Sequence, residues 1–215
     1  MKEMDHRVVE WGGAQSARVK VKQGVGELRL AAGATALMEA DFIYAREEWK
    51  PTVDYWVNEG RGRLEVKQPT SGSWGFPGMF STGIRYEWDL RFSTAAPLEL
   101  DLELGAGRGE IHLGGLQLSD ASVQIGAGDL NIDLVGNWQR DLQLKVESGV
   151  GRTTLILPAQ VGVRVEVSRG LCAVNASGLF VDGNRYQNEA FGKVPVTLYL
   201  RVQKGVGEIN LRLAS

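Results

Sequence analysis

Two histidines, one cysteine and a scatter of carboxylates are the side chains on which chemistry could rest in this chain. His6 lies near the start. His112 alternates with Ile111 and Leu113, which turns it outward beside Glu110. One histidine and one glutamate fall short of the three or four converging ligands that a metal centre needs. Cys172 is the sole cysteine, so neither an intrachain disulfide nor a Cys-based zinc site can form. Its apolar setting, Gly170-Leu171-Cys172-Ala173-Val174, predicts a buried structural thiol rather than a nucleophile. Ser148 has no histidine partner and no Gly-x-Ser-x-Gly elbow. Asp101, Glu103, Glu110, Asp129 and Asp133 could pair for acid/base cleavage of a polysaccharide. Alternating strands place acids outside for solubility alone, however, so no catalytic residue, cofactor or metal is expected.

The Gly-x-Gly phrases invite two further readings. A dinucleotide fingerprint puts its glycines between a strand and a helix, but here alternating, strand-like residues follow them. Calcium-binding β-rolls repeat every nine residues with an aspartate at each corner. Here Glu27, Arg63, Arg108, Asp129, Arg152 and Glu208 follow the glycines at a longer period. Both readings are rejected.

The candidate interaction surface is Ser71–Phe80, which breaks the alternation and carries Trp74, Phe76, Met79 and Phe80 among glycines. Large apolar side chains on such a backbone suit a partner-binding or membrane-touching loop; folding back to cover the end of the solenoid, with Trp74 and Phe76 buried, is the reading preferred to it. Trp49, Trp56, Trp88 and Trp138 sit in or beside strands, and most are expected to pack, with sugar stacking the lesser reading.

The net charge of -2 gives no basic surplus for a nucleic-acid partner. No stretch approaches the roughly 20 apolar residues of a membrane span, and no apolar h-region opens the chain. The partner is expected to be a protein or cell-envelope component, with association of copies through the ends of the fold. The chain as given is expected to be soluble and its compartment is left open, with association with the cell envelope an option if an anchor or signal has been removed.

What must position these residues is a repeat. Gly24-Val25-Gly26-Glu27-Leu28-Arg29-Leu30 returns in kind at Gly60–Val66, Gly107–Leu113, Gly126–Ile132 and Gly205–Leu211. Each phrase is a glycine corner followed by polar/apolar alternation, and the preceding residues alternate too, as in Leu98-x-Leu100-x-Leu102-x-Leu104. Period two marks half-buried strands. Leu104, Ile125, Val146 and Val167 recur every 21 residues, as do Leu102, Val123, Leu144 and Val165. The spacing predicts an all-β, parallel β-solenoid over 98–213, with two short strands per rung and successive rungs stacked in chain order. Residues 181–192 are read as an insertion. Residues 1–92 are expected to form a more irregular β module or cap with insertions at 31–51 and 69–85, and 93–215 the regular solenoid, the two forming one continuous stack.

Gly126–Leu134 and Gly149–Pro158 resemble the bacterial toast-rack β-solenoids, a group that includes the C-terminal domain of LiaF-type envelope-stress regulators. Gly24–Leu30, Ala40–Tyr44, Lys50–Val53 and Gly62–Val66 are similar to the N-terminal toast-rack module. The resemblance spans most of the chain. It implies a non-catalytic β-solenoid that binds or scaffolds, linked to envelope stress or adhesion, with no catalytic residues to carry over. A carbohydrate-binding or carbohydrate-active solenoid, or a structural piece of an assembly, are the alternatives.

Overall fold

A computed structural model describes residues 3–69 and 86–214. The strands in chain order are β1 (Glu3–Val9), β2 (Ser16–Ala34), β3 (Met38–Tyr44), β4 (Thr52–Asn58), β5 (Arg61–Lys67), β6 (Glu87–Ser93), β7 (Leu98–His112), β8 (Leu118–Asp133), β9 (Leu142–Leu157), β10 (Gly162–Ser177), β11 (Phe180–Asp182), β12 (Arg185–Gln187) and β13 (Thr197–Leu213). The one helical element among the described residues is a single 3-10 turn, Glu47–Trp49.

All thirteen strands belong to one mixed sheet. Its centre is parallel, in the order β2-β7-β8-β9-β13-β10. Antiparallel strands close it: β3 and then β1 lie beyond β6, β4 lies beyond β5, and β12 and then β11 lie beyond β10. Each long strand has two arms that meet at the glycine corner, and both arms send alternate side chains into one hydrophobic core. The expected pair of short strands is therefore one bent strand. β5 and β6 together make the two arms of one more rung, each parallel to an arm of β2.

Inward ladders run across the rungs. Val21, Leu102, Val123, Val146, Val202 and Val167 form one, every member buried. The outward face pairs by charge: Lys20 lies 3.4 Å from Asp101 and 3.2 Å from Glu103, and Lys22 lies 2.8 Å from Glu103. Basic residues on β2 thus face acidic ones on β7, which favours these two arms as neighbours.

In β2, β7, β8, β9 and β13 the second glycine of the corner is fixed by both conformation and space. Gly107 and Gly128 have φ of +140° and +129°, and a Cβ on Gly128 would stand 1.9 Å from the Gly107 carbonyl oxygen. No other residue fits there.

Four details differ from the sequence reading. First, β13 lies between β9 and β10, so the rungs do not stack in chain order. The alternating apolar strands are interchangeable by pattern, and nothing in the period says which neighbours which. Second, β8 and β9 pair Val123 with Val146, which sets Ile125 opposite Ser148 rather than Val146. Third, the β7 corner is Gly105-Ala106-Gly107, in register with Gly24-Val25-Gly26 and Gly126-Ala127-Gly128, and Gly109 lies in the second arm opposite Leu130. The second and third are slips of two residues, which leave every side chain on its own face and so escape a period-two pattern. Fourth, Gly60 is no corner. With Glu59 (φ 49°) it makes the hairpin turn between β4 and β5, at φ 74°.

Candidate groove along the corner line

The corners line up from rung to rung, and beside them runs an open groove of about 1060 Å3 that touches every rung from β5 to β10. Its floor is the first corner glycine of successive strands: Gly24, Gly105, Gly126, Gly149 and Gly205. A Cβ on Gly126 would come 2.5 Å from the Gly105 carbonyl oxygen, so close stacking keeps this line free of side chains. One wall is the outward residue just before each corner: Lys67, Lys22, Glu103, Gln124, Glu147, Gln203 and Ser168, in register across seven strands.

At the β5 end the line is capped by Gln68, whose Oε1 accepts hydrogen bonds from the backbone N–H groups of Gly24 (2.6 Å) and Val25 (3.1 Å). It supplies an acceptor where another rung would have supplied its own. Tyr86 receives the chain on the far side of the corner, its carbonyl accepting from Glu27 N at 2.8 Å. The segment that carries Trp74, Phe76, Met79 and Phe80 connects these two sides of the corner and lies outside the described residues.

Behind the floor, the inward residue beside each corner changes character along the stack, from Gln23, Leu104 and Ile125 to Ser148 and Lys204, and its counterpart on β10, Arg169, is exposed. Lys204 is only 4% exposed. Its Nζ donates to Ser148 Oγ at 2.7 Å and to Thr153 Oγ1 at 3.2 Å, and burial pushes its pKa down. Ser148 does have a basic partner, then, but a lysine and not the missing histidine. A serine beside such an amine is a nucleophile and base elsewhere; here Ser148 itself is 5% exposed, and its hydroxyl serves to satisfy a buried amine. The signal was legible: Lys204 continues the inward alternation of Leu198, Leu200 and Val202.

The two carboxylates of the groove, Glu103 and Glu147, are each held by lysine. Burial raises the pKa of Glu103, but hydrogen bonds from Lys22 and Lys20 outweigh it and hold the carboxyl below its usual range. A general acid for glycoside cleavage must hold its proton near neutrality. Glu147 is paired with Lys145 at 2.8 Å. No aromatic side chain lines the groove among the described residues.

The remaining candidates are dispersed. Asp101 pairs with Lys20; Asp129 and Glu110 sit on second arms, Glu110 with Arg29 at 3.4 Å. His112 is exposed and lies 3.5 Å from Asp133 rather than beside Glu110 alone. His6 belongs to β1, with Nδ1 2.7 Å from Asp41 Oδ1. Cys172 is half-buried, on the last strand of the parallel stack, so the buried thiol of the sequence reading is corrected. It occupies the position that is glycine at positive φ in the other long strands, and its own backbone does not take a positive φ. Trp88 and Trp138 are core residues; Trp56 is 43% exposed. Asn188, unremarked in the sequence, fastens the β11–β12 hairpin: its Oδ1 accepts from Val163 N at 2.9 Å, and its Nδ2 donates to Val161 O at 2.7 Å and Pro158 O at 3.1 Å.

A parallel stack of bent strands with glycine corners, closed by antiparallel strands, defines an all-β rack with a groove along its corner line. Residues 2–156 match the family described as "N-terminal domain of toast_rack, DUF2154", and the chain belongs to that family. It is similar over 100% of both chains to the crystal structure of a "putative cell adhesion protein" from Clostridium sporogenes ATCC 15579, at 32% identity and TM-score 0.93. A "putative adhesin" from Bacteroides fragilis NCTC 9343 shares 12% identity over 98% of this chain and 97% of its own, at TM-score 0.32, which carries no structural argument. No curated protein matches. No helix among the described residues is long and apolar enough to cross a membrane.

Proposed function

We propose that the chain is a non-catalytic binding module of the adhesion type, built as one continuous parallel β-solenoid across 1–92 and 93–215, which takes an extended polymer of the bacterial cell envelope along the corner groove. The observation that carries this reading is the groove itself. It is long, runs across every rung, has a floor without side chains, and is walled by a row of hydrogen-bonding groups repeated at the strand spacing of about 4.8 Å. A repetitive wall suits a repetitive ligand. The likeness to the clostridial structure named for cell adhesion supports the same reading. Cleavage of a carbohydrate ligand is disfavoured by the depressed pKa of Glu103 and by its lysine partners.

The test is co-sedimentation of the chain with isolated bacterial cell envelopes. Gln124→Trp and Gln203→Trp each fill the groove from an outward position and leave the core alone. The chain is expected to sediment with envelopes and each variant to bind at least about tenfold more weakly, or about 1.4 kcal/mol. No sedimentation, or full binding by both variants, overturns the groove reading.

A further inference from the structure

The stack ends in four half-rung edges, and three of them are closed by an antiparallel strand of the chain itself: β5 by β4, β6 by β3, and the first arm of β10 by β12. The fourth is the second arm of β10, Gly170–Ser177. It pairs with β13 on one side, and no strand among the described residues pairs with its other side. Burial records the difference within one strand. Val163, Val165 and Val167, under the hairpin, are 0%, 0% and 5% exposed. In the second arm Cys172 and Val174 are only half-buried, and Ala173, Asn175, Ala176 and Ser177 are exposed. The Arg169 guanidinium donates to the Cys172 carbonyl at 2.7 Å, so the bare edge begins at Ala173.

Exposed edges are ordinarily guarded by charge, proline, bulges or shortness. β1 carries Glu3, Asp5, His6 and Arg7, β4 carries Asp54, and β11 is three residues long. Gly-Leu-Cys-Ala-Val-Asn-Ala-Ser has no charge and no proline. Beside it on the corner ridge, Leu171 (83% exposed), Val206 and Val150 form an apolar stripe across three adjacent strands.

We propose that this edge is closed by the same edge of a second copy of the chain, antiparallel about a two-fold axis. Three observations select a second copy. Every edge that is closed is closed antiparallel, and a two-fold axis across a strand pairs it with itself in that sense. A neutral segment meets its own image without like charges facing each other. The β12–β11 hairpin covers the other arm, so a whole further rung has no room to stack, and association stops at two rather than running on as a fibre. The inference is independent of what the groove binds, though two copies would present two grooves to one polymer and gain by linkage. A short strand pair buries less than the roughly 800 Å2 per partner of a stable complex, so the dimer is a concentration-dependent one.

Sedimentation velocity of the full chain from about 1 to about 500 µM should show a reversible monomer–dimer equilibrium with a micromolar Kd. Amide exchange at 173–177 should slow as concentration rises. Ala173→Lys with Ser177→Lys, both at exposed positions, should weaken dimerisation at least about tenfold while leaving the thermal midpoint of the monomer in place. A chain that stays monomeric throughout overturns the proposal. So does a dimer that the two lysines do not weaken, or one whose formation leaves exchange at 173–177 unchanged.

Discussion

Lys204 Nζ lies 2.7 Å from Ser148 Oγ, two residues in register on neighbouring strands and both sealed inside the corner. The equivalent pair two strands away is Leu104 and Ile125. The stack thus accommodates either an apolar pair or an amine with hydroxyl partners at the same depth. The two solutions differ in cost, because an amine held in a low-dielectric site loses hydration that hydroxyls replace only in part.

Replacing Lys204 by Met together with Thr153 by Val should therefore stabilise the fold, by about 1 kcal/mol. Urea unfolding at neutral pH measures it, and a lower midpoint would show that the two hydroxyl bonds outweigh the desolvation. The sign for pH follows from the depressed pKa. In the unfolded chain Lys204 holds its proton up to about its ordinary value of 10.5, whereas the folded site releases it earlier. Its contribution should make the wild type gain stability relative to the double variant as pH rises through that window.

Gly128→Ala should cost at least about 3 kcal/mol, because the new Cβ meets the Gly107 carbonyl oxygen at 1.9 Å in a backbone conformation of φ +129°. Gly13→Ala shares the positive φ (+86°) but meets nothing within 4 Å. Thermal unfolding of the two separates contact from conformation, and equal losses would mean that rung stacking is not what fixes the corner glycine.

Val165→Asp puts an unpaired carboxylate where the valine is 0% exposed and lies between β13 and β12. The variant should unfold or aggregate on expression, a loss of about 3 kcal/mol or more. Wild-type stability by circular dichroism would refute the inward assignment of that ladder.

Asp41 ties β1 and β6 to β3. The contact from His6 lowers its pKa most, burial opposes that, and Arg91, at 2.9 Å, lowers it further. A lowered folded pKa gives stability that is present above the ordinary value of about 3.8 and lost as pH falls through the folded value. Asp41→Asn should cost about 0.5 kcal/mol at neutral pH, discounted for exposure, and the cost should vanish toward the acid end. A difference from wild type that stays constant down to the acid transition would assign the loss to packing instead.

Much of this architecture is legible in the chain. Alternation at Leu98–Leu104 and Leu142–Val146 places each of those side chains on the face it occupies, and the glycine phrases mark real corners at Gly24, Gly126 and Gly205. Order and register are another matter. Shifting a strand by two residues, or exchanging β10 with β13, leaves every side chain on its own face, so hydrophobic pattern carries no information on either. Charge does carry some. The row Arg18, Lys20, Lys22 against Glu99, Asp101, Glu103 marks β2 and β7 as neighbours in the sequence itself. The groove was beyond reach for a different reason: it is built from the absence of side chains on one line and from outward groups that look like ordinary solvated faces until the rungs are stacked. The caps are partly visible, since 181–192 interrupts the period as an insertion, but Gln68 and Asn188 act through long-range bonds that no local pattern signals.

The place of β13 has a consequence for how the molecule is made. Synthesis runs from the N-terminus, so Gly162–Ser177 is produced before the strand that separates it from β9. Until Thr197–Leu213 arrives, the first four long strands can zip together, but β10 and its hairpin have no lasting berth, and β9 offers it only a wrong neighbour with matching apolar teeth. Thr197–Leu213 is the keystone of the arch. Closure is in effect a completion check, in which a chain cut short anywhere before residue 197 keeps its terminal rung adrift.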